Sequence, residues 1–490
     1  MFKKIIYLNF ILLIVSCSNS GNKTKNSEYF RSKTDSIHAQ NIENNLIPMY
    51  SVAGKVKRMT IPEMMRLDKI PGMSIAFVDN GELAWTKHYG YANLEDSIPV
   101  SSETVFTGAS LSKPITAIAA LNLVEKGVLD LDEDVNLKLK EWKIPESTLT
   151  KKEKVTLRRL ISHKAGIKND LWSSYLPEDT IPTLNQMLAG EKPSLDPQTS
   201  VIYEPGSKTE YSNPGYSIIQ KLIMDVKNEE FDKIIDQLIF DPVGMENSSF
   251  KQPIPNHLAK RKAIGYTKEL EPYPYRLFPY QAAGGIWTTP MDLSKFMIAV
   301  LNDHHKGTNT LVSKETTNTI FKKYIDRYVF SFWNWGEDIV FMHYGSNQGF
   351  NCIMYGSVNK NQGIVVMTNS DNSFGFFDYI QRAVNNEYQW EYVKPEILNP
   401  SKSDISWVEP FLGEYQWRDR KVTFTKNDEN LELEIDDEKY IITQTGKRVF
   451  VLSEKPIKIT FPKSVDKDIV FWEPDGYPFR IKRLLNKNNR

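Results

Sequence analysis

The sequence predicts an α+β fold in which one antiparallel sheet packs between helices, followed by a small all-β domain at the C-terminus. Three observations predict it. Helix-like apolar segments are interleaved with strand-like runs from about residue 49 to 390. Strand-like runs lie at both ends of that region, and from about residue 401 only short alternating runs remain. With 490 residues the chain is long enough for these two domains, which we place at 46–393 and 401–490.

Residues 1–17, MFKKIIYLNFILLIVSC, have the composition of a secretory signal. Two lysines precede an apolar run that is too short to span a bilayer. The segment ending at Cys17 resembles the bacterial lipobox, in which the cysteine thiol is lipidated and becomes the mature N-terminus. A plain secretory peptide with an incidental cysteine is the alternative, and small Ser16 together with the polar residues after Cys17 favours the lipobox.

Lipidation of Cys17 would hold the protein on a membrane through acyl chains alone, since each buried CH₂ contributes about 0.8 kcal/mol. Residues 18–45 are rich in Asn, Ser, Lys and Glu, which predicts a flexible tether on the order of 30 Å in extent. Only one other cysteine exists, Cys352, so no intrachain disulfide would remain. Cys352 lies among apolar residues and is predicted to be a small, buried strand residue.

The charge balance excludes one large class of partners. Lys plus Arg number 61, as do Asp plus Glu, so nothing in the composition indicates nucleic-acid binding. We expect no cofactor and no metal, and the composition does not indicate an oligomeric state.

The first elements of the large domain are a helix, a hairpin and a second helix. A helix is predicted at about 55–68, and two apolar runs then flank Asp79-Asn80-Gly81, where Asn-Gly supplies the positive φ angles of a tight turn. The apolar stretch Ile115–Val124 predicts a buried helix that ends at the glycine cap Gly127.

The later elements are predicted from periodicity in the same way. Helices are expected at about Tyr216–Leu238, Met291–Leu301 and Phe376–Asn386, and paired strands at Ile339–His343, Phe350–Tyr355 and Gly363–Thr368. Residues 394–400 are the predicted linker to the C-terminal domain.

A candidate catalytic motif, Ser110-Leu111-Ser112-Lys113, stands where the buried helix begins. Residues three apart share a helix face, so Ser110 and Lys113 are expected to point the same way. A desolvated lysine has a lowered pKa and can accept the proton of a serine hydroxyl. Pro114 is compatible with this position, because an amide in the first helical turn has no obligatory partner.

The Ser-x-x-Lys spacing alone is weak. Four other matches occur in the chain, and none of them opens a buried apolar helix: Ser20/Lys23, Ser248/Lys251, Ser357/Lys360 and Ser464/Lys467. Without further support, Ser110 would be interpreted as an ordinary helix N-cap.

Two downstream segments supply that support through their order and context. Tyr211-Ser212-Asn213 lies between a Pro-Gly turn and an amphipathic helix, and His343-Tyr344-Gly345 lies on a predicted strand. Taken singly, the tyrosine could be a core aromatic, Asn213 a helix cap and His343 a sheet-edge residue.

With these three motifs the chain resembles the serine β-lactamase and penicillin-binding-protein superfamily, in its class C-like branch of DD-peptidases, D-aminopeptidases and esterases. The resemblance extends over about residues 49–390. Its segments include TVFTGASLSKPITAIAALNLVEKGVLDLDEDV, VTLRRLISHKAGI, DPVGMENSSF and AAGGIWTTPMDLSKFM. It implies the β-lactamase/transpeptidase-like fold.

The resemblance also implies a role for each residue. Ser110 would attack the substrate carbonyl with Lys113 as its base, and Tyr211 would share in proton transfer. Asn213 would hydrogen-bond the substrate amide or position Lys113, and His343 would bind or polarise substrate. Gly345 is placed with these substrate-binding residues, and the backbone N–H groups of Ser110 and Ser346 would form the oxyanion hole. His163, within the family-like VTLRRLISHKAGI, is expected to be structural.

Two departures from the family bear on the substrate. The third motif is His-Tyr-Gly rather than Lys-Thr-Gly, so its cation would be titratable, and bulky Tyr344 replaces the threonine hydroxyl that would meet a substrate carboxylate. A glutamate arrangement of the class A kind is not recognisable. Efficient β-lactam hydrolysis is therefore not expected.

From about Ser401 the alternating runs indicate a small antiparallel domain or barrel, similar to the β-barrel modules appended to many members of this family. Its Trp407, Phe411, Trp417 and Trp472 are expected to form core rather than a binding surface.

We therefore expect a lipid-anchored serine hydrolase of the bacterial cell envelope, periplasmic or surface-facing, that cleaves a D-amino-acid peptide or amide or a small ester. A peptidoglycan-derived substrate is one candidate. The alternatives are a class C-like β-lactamase or true penicillin-binding DD-carboxypeptidase, and, from another class, an inactive binding or regulatory lipoprotein.

Overall fold

The computed structural model describes residues 28–170, 173–322, 329, 331–335, 338–402, 404–427, 430–473 and 478–484. The predicted signal segment 1–17, with Cys17, lies outside the described residues. Within the described residues, no helix is long and apolar enough to cross a membrane.

The described α-helices occur almost entirely in the large domain. They are α1 Lys33–Asn44, α2 Ile61–Leu67, α3 Ser112–Glu125, α4 Thr148–Lys152, α5 Leu157–Ile161, α6 Leu184–Ala189, α7 Asn213–Lys227, α8 Phe231–Ile235, α9 Asp241–Val243, α10 Asn256–Ala259, α11 Gln281–Gly284, α12 Pro290–Lys306, α13 Lys314–Ile320 and α14 Phe374–Glu387.

The strands occur in both domains. Those of the large domain are β1 Tyr29–Phe30, β2 Tyr50–Val52, β3 Gly72–Asp79, β4 Glu82–Asn93, β5 Ile98–Pro99, β6 Phe106–Ala109, β7 Ile286–Thr288, β8 Ser331–Trp335, β9 Asp338–Asn347, β10 Phe350–Ser357, β11 Gln362–Thr368 and β12 Glu396–Leu398. Those of the C-terminal domain are β13 Gly413–Trp417, β14 Arg420–Lys426, β15 Leu431–Ile435, β16 Glu438–Gly446, β17 Val449–Leu452, β18 Ile457–Thr460, β19 Ile469–Trp472 and β20 Pro478–Arg483.

The main sheet is antiparallel and is built from both ends of the large domain, as predicted. Its order is β1-β4-β3-β11-β10-β9-β8, with β5 paired to β4. The β3–β4 hairpin turns at Asn80 and Gly81, whose φ angles are 55° and 68°. Positive φ is the geometry that the Asn-Gly pair favours.

Each face of this sheet is covered by a separate apolar core. One core joins the sheet to α1 and α14 and includes Phe77, Trp85 and Trp390. The larger core joins the other face to α3, α7 and α12. The sheet is thus packed between helices on both faces, which confirms the predicted α+β class.

The predicted helices differ from the observed ones in two places. The helix predicted at about 55–68 begins only at Ile61, because Thr60 caps it and its first turn contains a proline. The helix predicted at Tyr216–Leu238 is interrupted after Lys227, where Asn228 takes the left-handed conformation with φ 51°. An asparagine in this conformation ends a helix, so α7 and α8 are separate.

The prediction of a flexible tether over 18–45 is wrong for its described part. Residues 29–44 form β1 and α1, which belong to the large domain. Polar contacts hold much of this segment: Arg31 binds Asp79 at 2.7 Å, His38 binds Glu387 at 2.7 Å and Glu43 binds Lys87. Only Asp35, Ala39 and Ile42 of α1 are buried, which explains why the composition gave no sign of folding.

The C-terminal domain is a closed eight-stranded barrel formed by β13 to β20. Consecutive strands pair in antiparallel register, and β20 closes onto β13. Its inward side chains form one apolar core that includes Tyr415, Phe424, Phe450 and Phe471. Trp417 is buried there and Trp407 packs against the same core, which agrees with the prediction that these tryptophans are structural.

A small apolar junction connects the barrel to the large domain. Strand β12, just after the large domain, pairs in parallel with β2. Tyr50 and Val52 of β2 pack against Val451 of the barrel, and Lys458 forms an ion pair with Glu396 at 2.7 Å. Trp472 also packs here rather than within the barrel core.

Candidate active site

The candidate nucleophile stands in a sharp turn between a strand and a helix. Strand β6 ends at Ala109, whose φ of 44° is unusual for a residue with a side chain. Ser110 and Leu111 follow, and α3 begins at Ser112. Ser110 therefore lies just before the helix rather than on it. The buried Ser112 hydroxyl donates to Ala109 O at 2.7 Å and accepts from Ile286 N at 3.1 Å, which fixes this turn.

Lys113 lies in the first turn of α3 and is completely buried. Its Nζ is 3.1 Å from Ser110 Oγ and donates to Ala283 O at 2.6 Å. Within the described residues no carboxylate pairs with it, so burial lowers its pKa well below the usual range. A neutral amine beside a serine hydroxyl is a suitable general base.

Tyr211 also contacts Ser110, and its ring centroid lies 4.8 Å from Lys113 Nζ. Its hydroxyl donates to Ser110 Oγ at 2.8 Å. Although 39% of the residue is exposed, its hydroxyl lies inside the site, and burial raises its pKa to about 12 despite the hydrogen bond to Ser110. The phenol is therefore protonated at neutral pH and can donate a proton.

His163 supports Tyr211. Its ring centroid is 4.6 Å from that of Tyr211, and its Nδ1 accepts from Ser212 N at 3.2 Å. This arrangement is that of a structural histidine, as the sequence led us to expect.

Asn213 is the first residue of α7 and is buried. Ser212, rather than Asn213, caps this helix through its hydroxyl. The backbone N–H of Asn213 donates to Asn169 Oδ1 at 2.9 Å, which ties α7 to the loop after α5. Asn213 thus follows directly on the segment that carries Tyr211.

Strand β9 forms the remaining wall, and Gly345 explains how it comes so close. A Cβ built on Gly345 would lie 2.5 Å from Gly108 O, 2.5 Å from Cys352 Sγ and 3.2 Å from Ser110 N. Only glycine allows this approach of β9 to the Ser110 amide. Ser346, the next residue, is exposed.

His343 lies on β9, on the same sheet face as Gly345. Burial, and secondarily nearby Lys113, lowers its pKa to about 4, so the imidazole is neutral at neutral pH. Its Nδ1 lies 2.8 Å from Tyr344 O. Because a carbonyl only accepts, Nδ1 carries the hydrogen and Nε2 remains a hydrogen-bond acceptor. The expectation of a cation at this position therefore does not hold near neutral pH.

Tyr344 points to the opposite face of the sheet. Its hydroxyl accepts from Gln381 Nε2 of α14 at 3.1 Å, and its ring packs near Phe374. The bulky side chain that replaces threonine in the third motif is therefore outside the site.

Two groups in the site were not predicted. The Ala283 carbonyl, the acceptor for Lys113, has no signal in the sequence because any residue supplies a carbonyl. Asn347 follows the third motif directly, and its Nδ2 donates to Thr107 Oγ1 at 2.9 Å and to Gly284 O at 3.1 Å. One amide thus links β9, the strand leading to Ser110, and the helix α11 that holds Lys113.

The structure brings the predicted Ser110, Lys113 and Tyr211 into hydrogen-bond contact and places Gly345 beside them. Cys352 is buried on β10 with its Sγ donating to Gly108 O at 3.2 Å, and burial raises the pKa of its thiol. Cys352 is therefore an apolar-like support of the turn, in agreement with its predicted strand position.

The family described as Beta-lactamase matches residues 58–387, which include every predicted residue of this site. Protein flp of Staphylococcus aureus is 26% identical over 376 residues, covering 73% of this chain and 71% of that protein.

Two solved structures share the fold. The octameric penicillin-binding protein homologue from Pyrococcus abyssi has a TM-score of 0.59 at 22% identity and covers 86% of this chain and 98% of its own. The D-amino acid amidase from Ochrobactrum anthropi, complexed with L-phenylalanine amide, has a TM-score of 0.55 at 20% identity and covers 72% of this chain and 99% of its own.

Proposed function

This chain belongs to the β-lactamase family of serine hydrolases, and from that premise we propose that it forms an acyl-enzyme on Ser110. We further propose that it cleaves a D-amino-acid peptide or amide, or a small ester, at the bacterial cell envelope. The observation that carries the proposal is the position of Ser110 Oγ, 3.1 Å from Lys113 Nζ and 2.8 Å from Tyr211 OH.

The protonation states assign the direction of proton transfer. Neutral Lys113 takes the Ser110 proton while Oγ attacks the substrate carbonyl, and the N–H groups of Ser110 and Ser346 receive the developing oxyanion. Tyr211 gives its proton to the leaving nitrogen or oxygen and regains one from the Lys113 ammonium. Water then attacks the acyl-enzyme by the same route and releases the product.

Asn213 and His343 are assigned to substrate contact. Asn213 follows directly on the Tyr211 segment, and neutral His343 offers an acceptor at Nε2. An acceptor suits an N–H group of an amide substrate better than it suits a carboxylate. This favours amide cleavage over the class C-like β-lactamase alternative.

A solved structure with the same fold also supports the proposed substrate class. The Ochrobactrum anthropi protein is named as a D-amino acid amidase, which supports an amide with a D-residue. Intact Ser110, Lys113 and Tyr211 argue against an inactive binding protein.

Envelope anchoring rests on the signal segment and Cys17. Since the described fold begins with β1 at Tyr29, eleven residues (18–28) separate Cys17 from it, and they span at most about 40 Å. The anchored enzyme would stay close to the membrane. Cys17→Ala should release it from membranes, in a fractionation assay, while leaving Ser110 reactive.

The central experiment is labelling with a fluorescent fluorophosphonate and, separately, a fluorescent penicillin. Ser110→Ala should abolish fluorophosphonate labelling. The matched control is Ser464→Ala, because Ser464 is exposed and also heads a Ser-x-x-Lys match. Equal labelling of wild type and Ser110→Ala would contradict the proposal. Penicillin labelling would favour the DD-carboxypeptidase, and ester turnover without it would favour the amidase or esterase.

A further inference from the structure

A cavity of about 180 Å³ lies beside β6, the strand that leads to Ser110. It is enclosed by the segment 262–278, by β7 and by the turn between β9 and β10. Its walls include Thr107, Lys262, Tyr275, Arg276, Trp287 and Phe350.

The cavity shares its walls with the elements that hold Ser110. Thr107 precedes the nucleophile by three residues, accepts from Asn347 Nδ2 at 2.9 Å and pairs with Trp287 between β6 and β7. Gln348 follows Ser346 by two residues. A substrate group in this cavity would therefore lie beside the strands β6 and β7, of which β6 leads directly to Ser110.

Aromatic rings form one part of the lining. The Trp287 ring centroid lies 5.9 Å from that of Tyr275 and 5.8 Å from that of Phe350. An apolar cavity of about 150 Å³ holds a benzene molecule. The cavity is thus large enough for one ring with a polar substituent.

Two polar groups of the lining are buried hydrogen-bond donors without a partner among the described residues. Trp287 is 3% exposed, and its Nε1 has no partner. Arg276 donates from Nη1 to Ser174 O at 3.2 Å, but its buried Nε has no partner. Buried donors are normally satisfied, so unused ones point to a ligand with an acceptor.

Both charged residues that line the cavity, Arg276 and Lys262, are basic. Within the described residues, neither Arg276 nor Lys262 forms an ion pair, and Lys262 Nζ lies 5.5 Å from the Tyr275 ring centroid. A guanidinium and an ammonium without an acidic partner, beside unused N–H groups, attract a carboxylate.

We propose that this cavity is a substrate subsite for a planar ring that carries a carboxylate, bound through Trp287, Arg276 and Lys262. The inference rests on the proposed function, because it names the substrate class of the same Ser110 site. It also gives the anionic group of the substrate a place separate from His343, which is neutral.

The experiment uses two matched series of esters with the full-length protein. In one series the ring is on the leaving group: phenyl acetate, 4-carboxyphenyl acetate and 4-carbamoylphenyl acetate. In the other it is on the acyl group of p-nitrophenyl phenylacetate and its 4-carboxy and 4-carbamoyl derivatives. The carbamoyl ester is the neutral isostere of the carboxylate.

We expect kcat/KM for the carboxylate to exceed that for the carbamoyl isostere by about tenfold in one series, as one charge-assisted pair provides. Lys262→Met and Arg276→Met should each reduce that ratio, and added salt should reduce it further. Trp287→Phe keeps the ring but removes the N–H and should reduce it less. Lys260→Met, an exposed neighbour outside the cavity, should leave it unchanged.

Two failures can be distinguished. Ser110-dependent turnover of all esters without a carboxylate preference, or a preference that survives in both Lys262→Met and Arg276→Met, would overturn the subsite and leave the proposed function intact. Turnover that persists in Ser110→Ala would overturn the proposed function and, with it, the subsite.

Discussion

The catalytic corner, by which we mean the turn at Ser110 with Lys113, Tyr211 and His343, and the C-terminal barrel bury different kinds of side chain. The barrel core is apolar, and its buried Glu473 is paired with Arg418 and accepts from Trp417 Nε1 at 2.9 Å. The catalytic corner buries Lys113 with no carboxylate partner among the described residues and keeps His343 neutral at neutral pH. Interiors built only for stability pair their charges. The contrast therefore identifies the region in which stability is given up for reactivity.

The largest effect is expected when the buried amine of Lys113 is removed. Lys113→Met should lower the rate of fluorophosphonate labelling by about 10²- to 10⁴-fold, the usual contribution of a general base. Circular dichroism should show an unchanged fold, because methionine fills the same buried space. A labelling rate within about threefold of wild type would mean that Lys113 is not the base.

The opposite test is made in the barrel. Phe471 is fully buried and lies 5.2 Å from Trp417 between ring centroids, so Phe471→Ala should lower the free energy of unfolding of the barrel by about 3–5 kcal/mol. Denaturant unfolding followed by tryptophan fluorescence measures this. The exposed Lys463→Ala is the control.

Ester turnover by folded Phe471→Ala should stay near that of wild type, because Phe471 belongs to the barrel core alone. A loss of turnover in the folded variant would show that the barrel shapes the site, and the contrast between the two regions would then be false.

A smaller effect is expected from Asn347, which links three elements of the site. Asn347→Ala should lower kcat about tenfold or more with little change in KM, since small displacements of reacting groups slow catalysis strongly. Asn427→Ala is the matched control, because Asn427 Nδ2 makes one hydrogen bond, to Glu432 Oε1 at 2.7 Å, in the barrel. A rise in KM with unchanged kcat would assign Asn347 to substrate binding instead.

The buried amine of Lys113 also predicts how stability depends on pH. Burial lowers the pKa of Lys113 in the folded protein well below the ordinary value of 10.5 that it has in the unfolded chain, so between these two pKa values the unfolded state binds more protons. The free energy of unfolding of wild type should therefore rise relative to Lys113→Met between pH 7 and 10, by at most about 1.4 kcal/mol per pH unit. Urea unfolding of both proteins at several pH values measures the difference. A difference independent of pH would mean that Lys113 is charged in the folded state.

Much of the fold was predictable because its signals are local. The Asn80-Gly81 hairpin, the buried α3 and the alternating strands of the barrel follow from periodicity and turn chemistry. The helix α1 was missed because its attachment depends on ion pairs with residues far along the chain, such as Arg31 with Asp79.

The site residues that lie in short sequence motifs could be predicted. The groups that depend on backbone position or on burial in the folded chain could not. Ser110, Lys113 and Tyr211 were identified from spacing and family resemblance, and the structure brings them together. The low pKa of His343 could not be predicted, because it arises from burial against elements distant in sequence. The Ala283 carbonyl has no sequence signature at all.

Gly345 has a consequence for how this enzyme can evolve. Any side chain at that position would collide with Gly108 O and Cys352 Sγ. Gly345 therefore cannot be substituted unless the turn that carries Ser110 moves as well. Its neighbours are not restricted in this way, since Ser346 is exposed and Tyr344 faces α14. Substitutions that adapt β9 to new substrates must therefore occur at the residues on either side of Gly345.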